Sequence, residues 1–267
     1  MVDAIRDTPP TKNLLRGNAA DQIFGDLRDA IVSGQLVRGA RLPTEKQLAE
    51  QYGVSGPTIR EAVRGLTTAR LIEVRHGSGA YVTAEADQLL AVSLNAMIQM
   101  ERVGVPELLG VLGALHAYAA ERSALKASDE DIARMQDALT AMETASTARA
   151  IPDALIEFLG VLANASDNPL LAVLCRFLTK VQVDLTTELS GGTLAGWRKT
   201  AQPMEKQRQK LVDAIRARDP KAARAAAEAY HLRSIEVIGA LPHAKAKPLS
   251  DPSLYTVLAS LLQRSKV

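Results

Sequence analysis

Apolar positions recur at two different periods along the chain, and the change of period marks where the elements begin and end. Ala20, Ile23, Phe24, Leu27, Ala30 and Ile31 repeat at helical spacing, and Ser33-Gly34 stops the repeat. The stretch L-V-R-G-A-R-L-P then reads as a loop. Thr44-Glu45-Lys46-Gln47 is a capping box, and Leu48, Ala49 and Tyr52 give the short helix behind it an inner face. Gly53 supplies the left-handed residue that ends this helix, and Ser55 and Pro57 open the next one. Its stripe is Ile59, Ala62, Val63 and Leu66, which leaves Arg60 and Arg64 together on another face. Two short helices meeting at so tight a turn form a helix-turn-helix.

The period then changes. Leu71 to Arg75 alternates as a strand, His76-Gly77-Ser78-Gly79 turns, and Ala80 to Val82 returns. A helix-turn-helix followed by a basic, glycine-rich hairpin is the arrangement of a winged helix. After Thr83 no alternation recurs. Leu89, Leu90, Leu94, Met97 and Ile98 predict a linking helix, and further helices are expected near 105–126, 129–146, 152–166, 168–190, 200–217 and 220–240. Ser128-Asp129, Ile151-Pro152, Asn168-Pro169, Gly191-Gly192 and Asp219-Pro220 separate them. Asp251-Pro252 caps a last amphipathic helix carrying Leu254, Val257, Leu258, Leu261 and Leu262.

The predicted fold is therefore mainly α, a winged helix-turn-helix followed by an all-α helical-bundle domain. The expected divisions are a disordered arm over 1–17, a DNA-binding domain over 18–84 and a linking helix over 85–103. An all-helical domain over 104–240 and a tail over 241–267 complete them. Composition agrees, being 47% hydrophobic but only 3% aromatic, which suits packed helices better than a sandwich or barrel. The single Cys175 excludes an intramolecular disulfide and a thiolate zinc cluster, and fits a reducing cytosol. No signal-like run precedes Gly17, and the uncharged stretch Leu108–Ala120 is short of the ~20 residues that span a bilayer, so a cytoplasmic protein is expected.

Charge does not by itself point to nucleic acid. Residues 18–84 hold eight Lys/Arg against seven Asp/Glu, so the argument rests on position. In that stretch, L-V-R-G-A-R-L-P-T-E-K-Q-L-A, then G-V-S-G-P-T-I-R-E-A-V-R-G-L, then L-I-E-V-R-H-G-S-G-A-Y-V resemble the DNA-binding domain of GntR-family transcription regulators over residues 20–83. The resemblance implies DNA contacts by Lys46, by Ser55, Thr58, Arg60 and Arg64 on the recognition helix, and by His76 and Gly77 at a wing tip entering the minor groove. An arginine can grip a guanine edge with two hydrogen bonds, and an imidazole on a slim turn fits the narrower groove. Gly56 stands where the family usually has an arginine, which puts the family's usual operator in doubt. The plainer readings are solvated arginines paired with Glu61 or Glu73, a solvated Lys46, and glycines serving hairpin geometry alone.

A second resemblance covers residues 105–240. A-S-D-E-D-I, E-F-L-G-V-L-A-N-A-S-D-N-P-L-L and L-V-D-A-I-R-A-R-D-P-K-A-A-R-A-A are similar to the FCD effector domain of the FadR-like subfamily. Many such domains hold a divalent metal through an Asp and three His. Here those positions fall on Leu155, Leu159, Arg208 and Tyr230 or His231, so no metal or other cofactor is expected. An arginine and a glutamate of the first effector helix are replaced at Leu112 or Gly113 and at His116.

The expected effector residues are Leu112, His116, Leu155, Leu159, Arg208, Tyr230 and His231, lining a pocket for a hydrophobic or acyl-CoA-type molecule. The competing reading is that the leucines fill the cavity and the domain only dimerises. Arg208 reads first as a solvated helix arginine beside Glu205, and the two histidines as satisfied core or interface residues. No catalytic arrangement or phosphate loop is present, which argues against an enzyme with a vestigial DNA module. The function expected is a homodimeric regulator, a repressor, on a pseudo-palindromic operator, with no membrane partner.

Overall fold

The structure is a computed structural model, and it describes residues 19–75, 77–83, 94, 96–98, 100–242 and 244. The chain divides into two compact units, one up to Leu89 and one from Leu90. The arm, the C-terminal helix and most of the linking helix lie outside the described residues. Residues 94, 96–98 and 100 are helical.

The first unit contains α1 (Ala19–Val32), α2 (Glu45–Tyr52), α3 (Gly56–Thr68), β1 (Ile72–Arg75) and β2 (Gly79–Val82). The capping box forms: Thr44 Oγ1 accepts from the Gln47 N–H at 3.3 Å, and Gln47 Oε1 accepts from the Thr44 N–H at 2.8 Å. Gly53, at φ 64°, ends α2 by donating its N–H to the Ala49 carbonyl. Ile23, Leu27, Ile31, Leu48, Ile59, Ala62 and Leu66 close around one core, joined by Leu71, Ile72 and Val82 from the hairpin. The register pairs Ile72 with Val82 and Arg75 with Gly79, so the strands' buried ends anchor the wing and their tips project.

Two local expectations need correction. Ser55 occupies the N-cap position of α3 but caps no backbone N–H; its hydroxyl bonds the Thr58 hydroxyl at 2.9 Å instead. Pro57 removes one donor of that turn, and the Thr58 and Ile59 N–H groups both reach the Ser55 carbonyl. The stretch before Pro43 is also more than a loop. Arg41 bridges Tyr81, while the Gly39 and Leu42 N–H groups reach the Val82 and Ala80 carbonyls and the Val82 N–H reaches Ala40. One bridged residue leaves no period to detect.

The second unit consists of α4 (Val105–Lys126), α5 (Asp129–Glu143), α6 (Ala150–Asn164), α7 (Pro169–Leu189), α8 (Leu194–Ala201), α9 (Glu205–Arg216) and α10 (Pro220–Gly239). The side chains of Ser128, Asn168 and Asp219 cap α5, α7 and α10, and a proline follows directly in the last two. The single helix expected over 200–217 is instead α8, a 3-10 turn over Gln202–Met204, and α9. Pro203 cannot donate to the preceding turn, and Thr193 starts a separate helix by capping Gly196. One large apolar cluster includes Leu155, Phe158, Leu159, Leu211 and Tyr230, and a second includes Leu109, Leu112, Val181 and Ile238. Among the described residues no helix is long and apolar enough to cross a membrane.

Candidate nucleic-acid interface and effector site

The first site is built by the two faces of α3. Burying Ile59, Ala62 and Leu66 leaves Ser55, Arg60 and Arg64 on the solvent side, with Thr58 half-buried beside them. The bond between the Ser55 and Thr58 hydroxyls holds two polar groups together at the start of the helix. Arg60 pairs neither with Glu61 nor with Glu73. Its Nε stands 4.0 Å from Glu45, both side chains being more than half exposed, which leaves the guanidinium available at little cost. Glu73 instead pairs with Arg75 at 3.5 Å. Lys46 is exposed on α2.

At the wing, Gly77 is exposed with φ 71°, as a tight turn requires, and His76 lies outside the described residues. Two further basic residues stand at the wing. Arg75 lies over the Tyr81 ring, 4.9 Å from its centroid, and Tyr81 is held in turn by the Ser78 hydroxyl at 2.8 Å. The Arg41 guanidinium covers Gly79, where a Cβ would come within 2.8 Å of Arg41 Nε. The signal was the coincidence of strand arginines with the glycine tip. It was visible for Arg75 and hidden for Arg41, whose pairing with Tyr81 is non-local.

In the helical unit all seven expected effector residues are buried. They do not form one pocket wall. Leu155 and Leu159 are packed in one core cluster and Leu112 in the other. Phe158 and Leu211 are in the same cluster as the first two, so these positions are filled with hydrocarbon. Leucine has no lone pair and a guanidinium is a fixed cation, so positions 155, 159 and 208 do not fit a divalent metal.

The two histidines meet across α4 and α10. His116 Nδ1 lies 2.9 Å from His231 Nε2, and Thr179 Oγ1 of α7 lies 3.4 Å from His116 Nε2. Gly113 makes this approach possible, since a Cβ there would stand 3.0 Å from His231 Cβ. Burial holds both imidazoles far below their usual range, and the His231 charge depresses His116 further. His231 Nδ1 has no hydrogen-bond partner. An orphan lone pair costs less than an orphan N–H. The favoured arrangement therefore has His231 Nε2 donating to His116 Nδ1, and His116 Nε2 donating to Thr179.

Arg208 is not the solvated arginine expected. It is only 3% exposed, because α9 turns it against α8, where Nη2 donates to the Ala201 carbonyl at 2.9 Å. Nη1 is buried with no acceptor. The Tyr230 hydroxyl is likewise buried, beside the Arg208 guanidinium. Burial pushes the Tyr230 phenol up, and the charge of neighbouring Arg208 and a side-chain hydrogen bond with it oppose that push. Arg208 also lines a cleft of about 120 Å³ with Leu139, Met142, Ile151 and Ala201.

The comparisons with known proteins agree with both units. Residues 19–82 match the family of bacterial regulatory proteins called gntR, and residues 107–233 match the FCD domain. An uncharacterized HTH-type transcriptional regulator of Mycobacterium tuberculosis is 30% identical over 221 residues, covering 80% of this chain and 87% of that protein. The chain belongs to the GntR family. The galactonate operon transcriptional repressor of Escherichia coli is also 30% identical, over 79% of this chain and 92% of its own length. LutR of Bacillus subtilis is 28% identical over 77% and 94%. Among solved structures, a GntR protein of Streptococcus agalactiae superposes with a TM-score of 0.60 at 25% identity, over 80% of this chain and 97% of that one. This GntR-family chain is a DNA-binding transcriptional regulator of the GntR/FCD type, not an enzyme.

Proposed function

We propose that the protein is a homodimeric repressor that binds a pseudo-palindromic operator and releases it when the helical unit takes up a small effector. The observation that carries the first part is the division of α3. Its buried Ile59–Ala62–Leu66 stripe fixes the helix, so Ser55, Thr58, Arg60 and Arg64 stand where a major groove can receive them. Exposed Gly77 and Arg75 give the wing a thin basic tip for the adjoining minor groove.

Support for the dimer comes from the surface of the helical unit. Val111, Tyr118 and Leu125 are spaced by seven along α4 and are 56%, 43% and 57% exposed. Leu232 on the neighbouring α10 is 63% exposed. Arg224 and Glu121 tie these two helices together at 2.8 Å. A heptad-spaced apolar row is what a second helix pair covers.

An effector that changes how the two winged units are presented to DNA would act by preferring one state. A ~100-fold release requires a preference of roughly 2.7 kcal/mol. The filling of positions 155 and 159 by packed leucines weighs against the hydrophobic or acyl-CoA effector, and the effector is not assigned to those residues.

Selecting operators from random duplex DNA with the full chain tests the reading. The expected product is an inverted repeat with half-site centres about 10 bp apart or a multiple of that. Recovery of a single, unrepeated half-site would overturn the dimeric docking.

A further inference from the structure

We infer that Arg41, which belongs neither to the helix-turn-helix nor to the hairpin, contacts the DNA backbone and seats the wing at the edge of the minor groove. This inference deepens the docking reading above and rests on it. Arg41 is paired with Tyr81 across an antiparallel bridge, so the segment before α2 lies alongside β2. Residues paired across strands project from one face, and so do residues two apart on a strand. The register of Glu73 with Tyr81 and of Arg75 with Gly79 therefore puts Arg41, Glu73, Arg75, Gly79 and Tyr81 on one face of the wing. The opposite face carries Ile72 and Val82 into the core.

Two guanidinium groups are held on that outward face. Arg75 lies over the Tyr81 ring, 4.9 Å from its centroid, and the Ser78 hydroxyl holds the ring's far end at 2.8 Å. Arg41 lies against Gly79, where a Cβ would stand 2.8 Å from Nε, 3.2 Å from Nη2 and 3.4 Å from Cζ. The planar group thus rests on a bare Cα, in space that a side chain at position 79 would fill. Gly79 also holds φ at 110°, so one glycine serves both the hairpin and the guanidinium.

Charge decides what this face meets. Glu73 is its carboxylate, and Arg75 takes it at 3.5 Å. Among the described residues no carboxylate pairs with exposed Arg41, whereas Arg28 pairs with Asp29 at 2.9 Å and Arg60 stands 4.0 Å from Glu45. A cation already held by packing gives up little rotamer freedom when an anion arrives. Gly79 sits two residues behind exposed Gly77, so the guanidinium on it ends short of the tip. With the tip in a groove about 6 Å wide, Arg41 meets the phosphates at the groove's edge and not the base edges inside it. The contact adds affinity and no base preference.

The test compares full-length Arg41→Gln, Arg41→Lys and Arg60→Ala on the selected operator and on duplex lacking it, between about 50 and 200 mM salt. Arg41→Gln weakens both duplexes by a similar factor and lowers the salt slope by about 1 for each bound protomer, so its deficit shrinks about threefold over that range. Arg41→Lys keeps the charge and with it the slope. The Tm of DNA-free Arg41→Gln matches wild type, because the bridge to Tyr81 is made by backbone. Gly79→Ala displaces the guanidinium, so it weakens DNA binding in wild type more than in the Arg41→Gln background. A wild-type salt slope in Arg41→Gln, a lowered Tm with unchanged affinity, or an equal effect of Gly79→Ala in both backgrounds would overturn the inference. If Arg60→Ala keeps full affinity and base preference, the docking reading itself fails. If Arg60→Ala loses them while Arg41→Gln binds like wild type, only the contact assigned to Arg41 fails.

Discussion

His116 Nδ1 and His231 Nε2 lie 2.9 Å apart in the interior of the helical unit, 115 residues apart in sequence, and burial keeps both neutral. The pair makes stability depend on pH. The folded-state pKa of His231 is lowered to about 3, and that of His116 is also lowered well below the ordinary value. The unfolded chain therefore binds more protons than the folded one once pH drops below about 6.5. Stability is full above about pH 6.5 and is lost as pH falls towards 3, by up to about 1.4 kcal/mol per pH unit for each histidine. Urea unfolding at pH 7, 6 and 5 should show falling midpoints. The decline should be shallower in His231→Phe, and an equal decline in the variant would contradict the assignment.

Gly113 is what lets His231 approach α4. In Gly113→Ala the new methyl meets His231 Cβ at 3.0 Å, and a Cβ cannot rotate away, so the helices must part. The expected cost is about 1–3 kcal/mol. It exceeds the gain of up to about 1 kcal/mol from replacing a helical glycine. Denaturant unfolding reads it directly, and a stabilised variant would show that the helices yield freely.

Much of this architecture is legible in local sequence. Thr44–Gln47, Gly53, Asn168-Pro169 and Asp219-Pro220 state their helix ends because caps act within a few residues. The exposed face of α3 follows from the spacing of Ile59, Ala62 and Leu66. What sequence hides depends on partners far along the chain. Arg41 looks like a loop residue until β2 pairs with it. Glu205 to Lys210 reads as polar throughout, so nothing local reveals that Arg208 is buried against Ala201. A pattern of two histidines 115 residues apart carries no period at all.

The apolar face of α4 and α10 predicts the assembly state. Tyr118→Glu combined with Leu232→Glu places charges on two exposed positions, so the fold should be kept while the dimer is lost. Sedimentation of the variant should give a monomer with wild-type helicity. A dimer with unchanged affinity would move the interface elsewhere on the molecule.

The central claim is that α3 reads the operator and α2 helps hold it. The most direct test measures binding of wild type, Arg60→Ala and Lys46→Ala to the selected operator and to its single-base variants, at several salt concentrations. Arg60→Ala is expected to cost about 1–3 kcal/mol and to lose preference at one base position. Lys46→Ala is expected to weaken all sequences alike and to lower the salt slope by about 1. Wild-type affinity and base preference in both variants would contradict the account.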